Sequence, residues 1–288
     1  MTGTLLALGY GYTARALARR LAPQGWRLTG TTRSPEEAAR RDEGNTEVHL
    51  WPGSDLAPLI AGASHVLATA APGPEGDPFL PHVAGALAAH PPRWIGYLST
   101  TGVYGDHGGQ WVDEDTPLTP STRRGQHRVA AEAAWQRLAA EAGLPLHIFR
   151  LAGIYGPGRG PFAKLRAGTA RRIVKPGQVF SRIHVEDIAQ VLEASIARPD
   201  PGAIYNVCDD DPAPPEDVIA HAANLLGLPV PPAEPFDAAE MTPMARSFYA
   251  ESKKVRNDRI REDLGIRLRY PDYRSGLAAL LAEEEKGG

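Results

Sequence analysis

The segment Gly9-Tyr10-Gly11-Tyr12-Thr13-Ala14 follows directly on the apolar run Thr4-Leu5-Leu6-Ala7-Leu8 and opens a helical pattern at Ala14, Leu17, Ala18 and Leu21. Few arrangements accommodate that junction. A buried strand that ends in Gly-x-Gly and turns at once into a helix brings backbone amides to one point with no Cβ in the way. The helix dipole then favours an anion there, which is the geometry that seats a pyrophosphate. The third small position is filled by Ala14, as the pattern tolerates. A bare Gly-x-Gly can be a tight turn without a ligand, but the strand before it and the helix after it supply the context of a dinucleotide site.

The alternation continues. Strands are expected at Trp26 to Thr32, Glu47 to Trp51, His65 to Thr69, Trp94 to Ser99 and Leu146 to Leu151, with helices at Pro81 to His90 and Arg124 to Ala142. Alternating β and α elements predict an α/β fold, a Rossmann doubly wound parallel sheet, with ligand-binding loops along one sheet edge. Beyond Gly156 the pattern loosens. It recovers in a helix from Val185 to Ala197, a strand from Ile204 to Val207 and a helix opened by Pro214-Pro215-Glu216. The Pro-rich stretch from Pro229 to Pro235 reads as a linker, and Glu283 to Gly288 as a frayed tail. The expected division is a dinucleotide-binding domain over residues 1–158, completed by about 183–207, and a smaller C-terminal substrate-binding region mainly within 159–288.

The end of the second strand bears on which dinucleotide is bound. A carboxylate about 20 residues past the glycines would hold the ribose hydroxyls of NAD. This chain has Thr31-Thr32-Arg33-Ser34 there instead. Hydroxyls and a guanidinium suit a 2′-phosphate, so NADP is expected over NAD, with Thr32 and Arg33 contacting it.

A formal net charge of −3, with arginines interspersed among acidic residues, gives no electropositive face for nucleic acid. The single cysteine, Cys208, excludes an internal disulfide and fits a reducing compartment. No run approaches the ~20 apolar residues of a membrane span. The start of the chain lacks the basic and long apolar stretches of a secretory signal, so a cytoplasmic protein is expected.

Three later motifs extend the picture: Leu98-Ser99-Thr100-Thr101-Gly102-Val103-Tyr104-Gly105, Arg150-Leu151-Ala152-Gly153-Ile154-Tyr155-Gly156-Pro157-Gly158-Arg159 and Arg182-Ile183-His184-Val185-Glu186-Asp187-Ile188-Ala189. In this order they resemble the motifs of extended short-chain dehydrogenase/reductases, which include the NAD-dependent epimerase/dehydratase proteins acting on nucleotide sugars. The resemblance runs from Gly9 to about Leu228, and Lys253 to Leu281 is similar to the end of an atypical subgroup. It implies that the amides of Tyr12 and Thr13 face the pyrophosphate. It also implies that Ala70-Ala71-Pro72 line the nicotinamide-side ribose, that Ile154 and its neighbours lie near the nicotinamide, and that Asp55 faces adenine. A homodimer is implied too, with the helix from Arg124 to Ala142 packing across a two-fold axis.

The family's chemistry uses a Ser or Thr together with a Tyr-x-x-x-Lys helix, in which the lysine favours the tyrosine phenolate. By the resemblance Thr100 stands at the Ser/Thr position, whereas Arg124 and Arg128 stand at the tyrosine and lysine positions. Arginine stays protonated and cannot exchange a proton as a phenol does. Four residues apart on one helix face, the two could still hold anionic groups, or could belong to a solvated basic stretch. A literal Tyr249-x-x-x-Lys253 lies far past the Rossmann core and reads as coincidence. Tyr104 and Tyr155 are substitute acids by position, though packing is the simpler role for each.

Asp106, His107, Asp113, Glu114 and Asp115 fit no standard metal spacing and read as a substrate-covering loop. His184 reads as structural. Lys164, Arg166, Arg171, Arg172 and Lys175 could hold the diphosphate of a nucleotide sugar, or form a solvated face. No nucleophile elbow points to hydrolysis. Two expectations remain: an NADP-dependent oxidoreductase or epimerase acting on a hydroxyl or keto group of a small polar substrate, and a non-catalytic NADP-binding sensor.

Overall fold

Strands buried on both faces carry no polar alternation, and the runs Leu5 to Leu8, His65 to Ala68 and Leu146 to Leu151 are buried at every position. The computed structural model describes residues 2–39 and 46–287. It begins with β1 (Thr4–Leu8), α1 (Tyr12–Leu21), β2 (Arg27–Thr32), α2 (Pro35–Ala39), β3 (Glu47–Leu50), α3 (Ala57–Ala61), β4 (His65–Ala68), α4 (Leu80–Ala89) and β5 (Trp94–Thr100). The short β6 (Trp111–Val112) precedes α5 (Arg123–Ala142) and β7 (Leu146–Leu151). Then come β8 (Gly153–Tyr155), α6 (Phe162–Arg166), β9 (Arg172–Val174), β10 (Arg182–His184), α7 (Val185–Ala197) and β11 (Ile204–Val207). The chain closes with α8 (Pro215–Leu225), β12 (Ala233–Pro235), α9 (Pro243–Phe248), β13 (Lys254–Val255), α10 (Asp258–Glu262) and α11 (Tyr273–Gly287).

Seven strands form one sheet in the order β11-β7-β5-β4-β1-β2-β3. Every pairing in it is parallel. This is the doubly wound Rossmann arrangement, and it puts the ends of β1, β2, β4, β5 and β7 along one edge. Apolar clusters cover both faces: Leu5, Leu17, Leu67, Phe149 and Leu192 belong to one, and Leu6, Leu8, Val66, Ile95 and Trp135 to the other. Helix α1 buries Ala14, Leu17, Ala18 and Leu21 and packs on α7, where Arg20 pairs with Glu193 at 2.5 Å. Each fully buried leucine contributes about 1.5–3 kcal/mol.

A third cluster holds the C-terminal elements together through Tyr155, Phe162, Ala222, Tyr273, Leu277 and Leu280. Two expectations change here. The stretch from Pro229 to Pro235 is not wholly a linker, because Ala233–Pro235 is β12 and pairs in parallel with β9. The tail from Glu283 does not fray. With Leu277 and Leu280 anchored in the core, α11 continues to Gly287 and Glu284 accepts a hydrogen bond from Arg166 at 2.6 Å. Gly288 lies outside the described residues.

Candidate active site

Two cavities, each about 930 Å³, lie at the carboxyl ends of the central strands and share Ala71. The first is lined by Gly9, Tyr10, Gly11, Thr32, Arg33, Ala70 and Ala71, and also by Glu37, Trp51 and Pro52. Gly9 has φ +97°, and a Cβ on it would stand 2.7 Å from Thr69 Oγ1. Only glycine allows the exits of β1 and β4 to approach so closely. A Cβ at Gly11 would meet nothing within 4 Å, and Gly11 caps α1 without a side-chain hydrogen bond. The first-turn amides of α1 therefore face open space, which fits a pyrophosphate.

The flanking side chains take different roles. Tyr10 folds over Gly30, a residue with no Cβ to obstruct it, and its hydroxyl bonds to Thr46 Oγ1 at 3.2 Å. Thr13 is buried, and the Tyr12 hydroxyl donates to the Pro157 carbonyl at 2.9 Å. Neither of the last two is among the residues lining these two cavities. Asp55 is turned away, its Oδ1 accepting from the Ala57 amide, and Trp51 and Pro52 occupy that wall instead. Beside Arg33 stands Glu37, which accepts from Thr32 Oγ1 at 2.8 Å and pairs with Arg15 at 3.5 Å. A carboxylate thus reaches this cavity from a helix rather than from the strand end.

The second cavity brings together Ala71, Pro72, Thr100, Arg124, Arg128 and Ile154. Thr100 ends β5, and its Oγ1 accepts from the Gly102 amide at 3.2 Å, so its own proton remains to be donated. Arg128 is not a solvated residue. Its Nη1 donates to the Leu98 carbonyl at 2.6 Å and the Tyr97 hydroxyl at 3.1 Å, tying α5 to β5. Arg124 is exposed and stacks over Phe248, which reaches it from α9 at 5.7 Å.

The two substitute tyrosines pack. The Tyr104 hydroxyl donates to Asn206 Oδ1 at 2.7 Å and accepts from Arg150, while burial pushes it up to about 12. Burial also raises Tyr155, whose hydroxyl donates to the Asp272 carbonyl. Behind them the buried Arg150 and Glu132 form an ion pair at 2.9 Å. His184 caps α7, with Nδ1 accepting from the Glu186 amide, and burial lowers its pKa to about 4.

The acidic loop and the basic cluster are largely absorbed by the fold. Glu114 is buried and accepts from the Asn206 amide, and Asp106 accepts from the Ser252 amide. Among the described residues no group of His, Cys, Asp or Glu could hold a metal. Arg171 pairs with Glu234, Arg166 with Glu284, and Lys175 donates to the Tyr249 carbonyl. None of the five basic residues from Lys164 to Lys175 lines either cavity.

Sequence reasoning set Lys253 aside as part of a coincidental motif. Tyr249 and Lys253 do not share a helix, since α9 ends at Phe248. Lys253 nevertheless enters the second cavity, donating to the Gly105 carbonyl at 2.7 Å and to Glu251 Oε2 at 2.8 Å. The missing signal was tertiary: the short β13 pairs in parallel with β6, across a separation in sequence that no local pattern reveals.

The family model described as NAD dependent epimerase/dehydratase family matches residues 82–208. Protein YeeZ of Escherichia coli (strain K12) is 32% identical over 283 residues, covering 92% of this chain and 95% of its own. The chain belongs to the NAD-dependent epimerase/dehydratase family. The solved structure of a functionally unknown conserved protein from Silicibacter pomeroyi DSS is 62% identical, with a TM-score of 0.92 over 98% of this chain and 99% of the other. MoeE5 in complex with UDP-glucuronic acid and NAD shares the fold, with a TM-score of 0.78 at 21% identity over 99% of both chains. No helix among the described residues is long and apolar enough to cross a membrane.

Proposed function

We propose that this chain is an NADP-dependent oxidoreductase/epimerase-like protein acting on a hydroxyl or keto group of a small polar, nucleotide-sugar-like substrate. The observation that carries this reading is the junction of the two cavities at Ala71. The amides after Gly9 would hold a dinucleotide, with Ala71 shared between its cavity and the one that Thr100 lines. When bound, its nicotinamide supplies or accepts a hydride.

The chain's own residues do the rest. The Thr100 hydroxyl donates to a substrate oxygen. Arg124, exposed at the mouth, binds anionic groups, and Arg128 fixes the strand exits around them. Five cations line the second cavity, Arg123, Arg124, Arg128, Arg182 and Lys253, against the single carboxylate of Glu251. Such a wall favours an anionic substrate. The UDP-glucuronic acid bound by MoeE5 is of that type. The preference for NADP rests on Arg33 and the nearby Arg15, against the opposing charge of Glu37. The active unit is a homodimer formed through α5, which sedimentation tests.

Arg124 and Arg128 favour a second reading, an NADP-binding sensor without turnover. One experiment separates the two. NADPH is bound, and its absorbance is followed against a panel of nucleotide sugars and simple carbonyls. Turnover that is lost in Thr100→Ala supports the enzyme. Tight NADPH binding with no turnover across the panel supports the sensor.

A further inference from the structure

The second cavity needs a proton donor, and the positions where the family carries one hold guanidinium groups. Thr100 offers a hydroxyl, which can pass a proton only if another group replaces it. The Tyr104 hydroxyl donates to Asn206 at 2.7 Å, and Tyr155, though it lines this cavity, packs its hydroxyl against Gly276 of α11 with a long 3.4 Å contact to the Asp272 carbonyl. Lys253 remains. An ammonium carries three protons, and two of them go to the Gly105 carbonyl and Glu251 Oε2. The third has no protein partner among the described residues, and Lys253 lines the same cavity as Thr100.

Its placement is over-determined. Ser252, one residue earlier, receives hydrogen bonds on its carbonyl from the His107 and Gly109 amides, and its own amide donates to Asp106 Oδ1. Two residues later, the Val255 amide donates to Ser181 Oγ. Glu251 is fixed in turn by Ser121 Oγ at 2.6 Å. Lys253 is 9% exposed, and its ion pair with Glu251 is almost as enclosed. An enclosed ion pair contributes less stability than apolar packing of the same volume. The fold itself therefore gains little from an ammonium at this position.

We propose that Lys253 faces the reacting centre and supplies the proton that the family's tyrosine would supply, with Glu251 as its positioning residue. This rests on the oxidoreductase reading above. As hydride arrives at a carbonyl carbon from a dihydronicotinamide, the π pair moves onto the oxygen. That oxygen takes a proton from Nζ, and the neutral amine left behind is reprotonated by water. In the reverse direction the amine accepts the hydroxyl proton.

The test needs no knowledge of the substrate. Sulfite adds through its sulfur lone pair to C4 of an oxidised nicotinamide, the ring nitrogen taking up the electron pair, and leaves an anionic sulfonate where a substrate would react. NADP+ affinity and the near-ultraviolet absorbance of the enzyme-bound sulfite adduct are measured for wild type, Lys253→Met and Lys253→Arg, alongside thermal melts. Lys253→Met is expected to weaken the adduct about tenfold or more, the effect of losing a charge-assisted hydrogen bond, with NADP+ affinity unchanged. Lys253→Arg keeps the charge and is expected to recover part of the adduct. An adduct that fails to form on wild type, forms equally on Lys253→Met, or weakens only in step with NADP+ affinity overturns the proposal. Failure of wild type to bind either NADP+ or NAD+ overturns the cofactor reading instead.

Discussion

The Arg128 guanidinium donates to the Leu98 carbonyl at 2.6 Å, which makes this residue a clamp between α5 and β5. Lost hydrogen bonds from a charged donor cost about 1.5–3 kcal/mol each. Arg128→Ala is therefore expected to lower stability in urea unfolding by about 2 kcal/mol, with Arg128→Lys recovering part of it. An unchanged midpoint for Arg128→Ala would mean that the side chain does not hold the strand.

Gly9 combines a left-handed backbone with a neighbour 2.7 Å from any added Cβ. The conformation alone costs about 1–2 kcal/mol for an L side chain, and Thr69 must move as well. Gly9→Ala is expected to lower the melting temperature and to abolish NADPH binding in a fluorescence titration. Gly11→Ala provides the contrast, because its Cβ would meet nothing in the protein and would intrude only on a ligand. It should lose NADPH affinity with its melting temperature almost unchanged.

Arg33 and Glu37 line one cavity with opposite charges, so cofactor choice depends on their balance. Arg33→Ala is expected to weaken NADP+ binding about tenfold, consistent with one lost charge-assisted contact, and to leave NAD+ binding nearly unchanged. Glu37→Gln should tighten NADP+ and spare NAD+. Isothermal titration with both cofactors checks this, and equal losses for the two in Arg33→Ala would contradict it.

Burial pushes the Asp209 carboxyl up to about 8, although the Arg182 charge and the backbone of Arg182 and Asp211 oppose the shift. Its folded pKa lies above the ordinary value, so the stability linked to it is fully present at acid pH. It is lost as pH rises from about 4 through the folded value. At neutral pH this loss reaches about 4 kcal/mol as an upper figure. Asp209→Asn should therefore gain stability relative to wild type between about pH 5 and about pH 8, measured by chemical denaturation at both. A constant difference across that window would count against a buried neutral carboxyl.

Local pattern determined a good deal of this protein. A buried run ending in Gly9-x-Gly11 and opening a helix has few physical solutions. The alternation after it requires a parallel sheet, because each apolar strand must be covered on both faces. The order of the later motifs was enough to indicate the family. What the sequence left open is whatever depends on segments distant along the chain. Whether Arg128 is a solvent-facing cation or a clamp depends on where the Leu98 carbonyl lies across the interface between α5 and β5. Tyr104 and Tyr155 were candidates by position, and the packing of Asn206 and the stretch around Asp272 against them decided that they are structural. Glu37 comes back to the cavity from α2, and Lys253 arrives immediately before β13, the two-residue strand paired with β6, near Gly105. Helical and strand periodicities report which face of an element is buried. They do not report which side chain from another element meets it, and at this site those meetings decide where charge stands and which group has a proton to give.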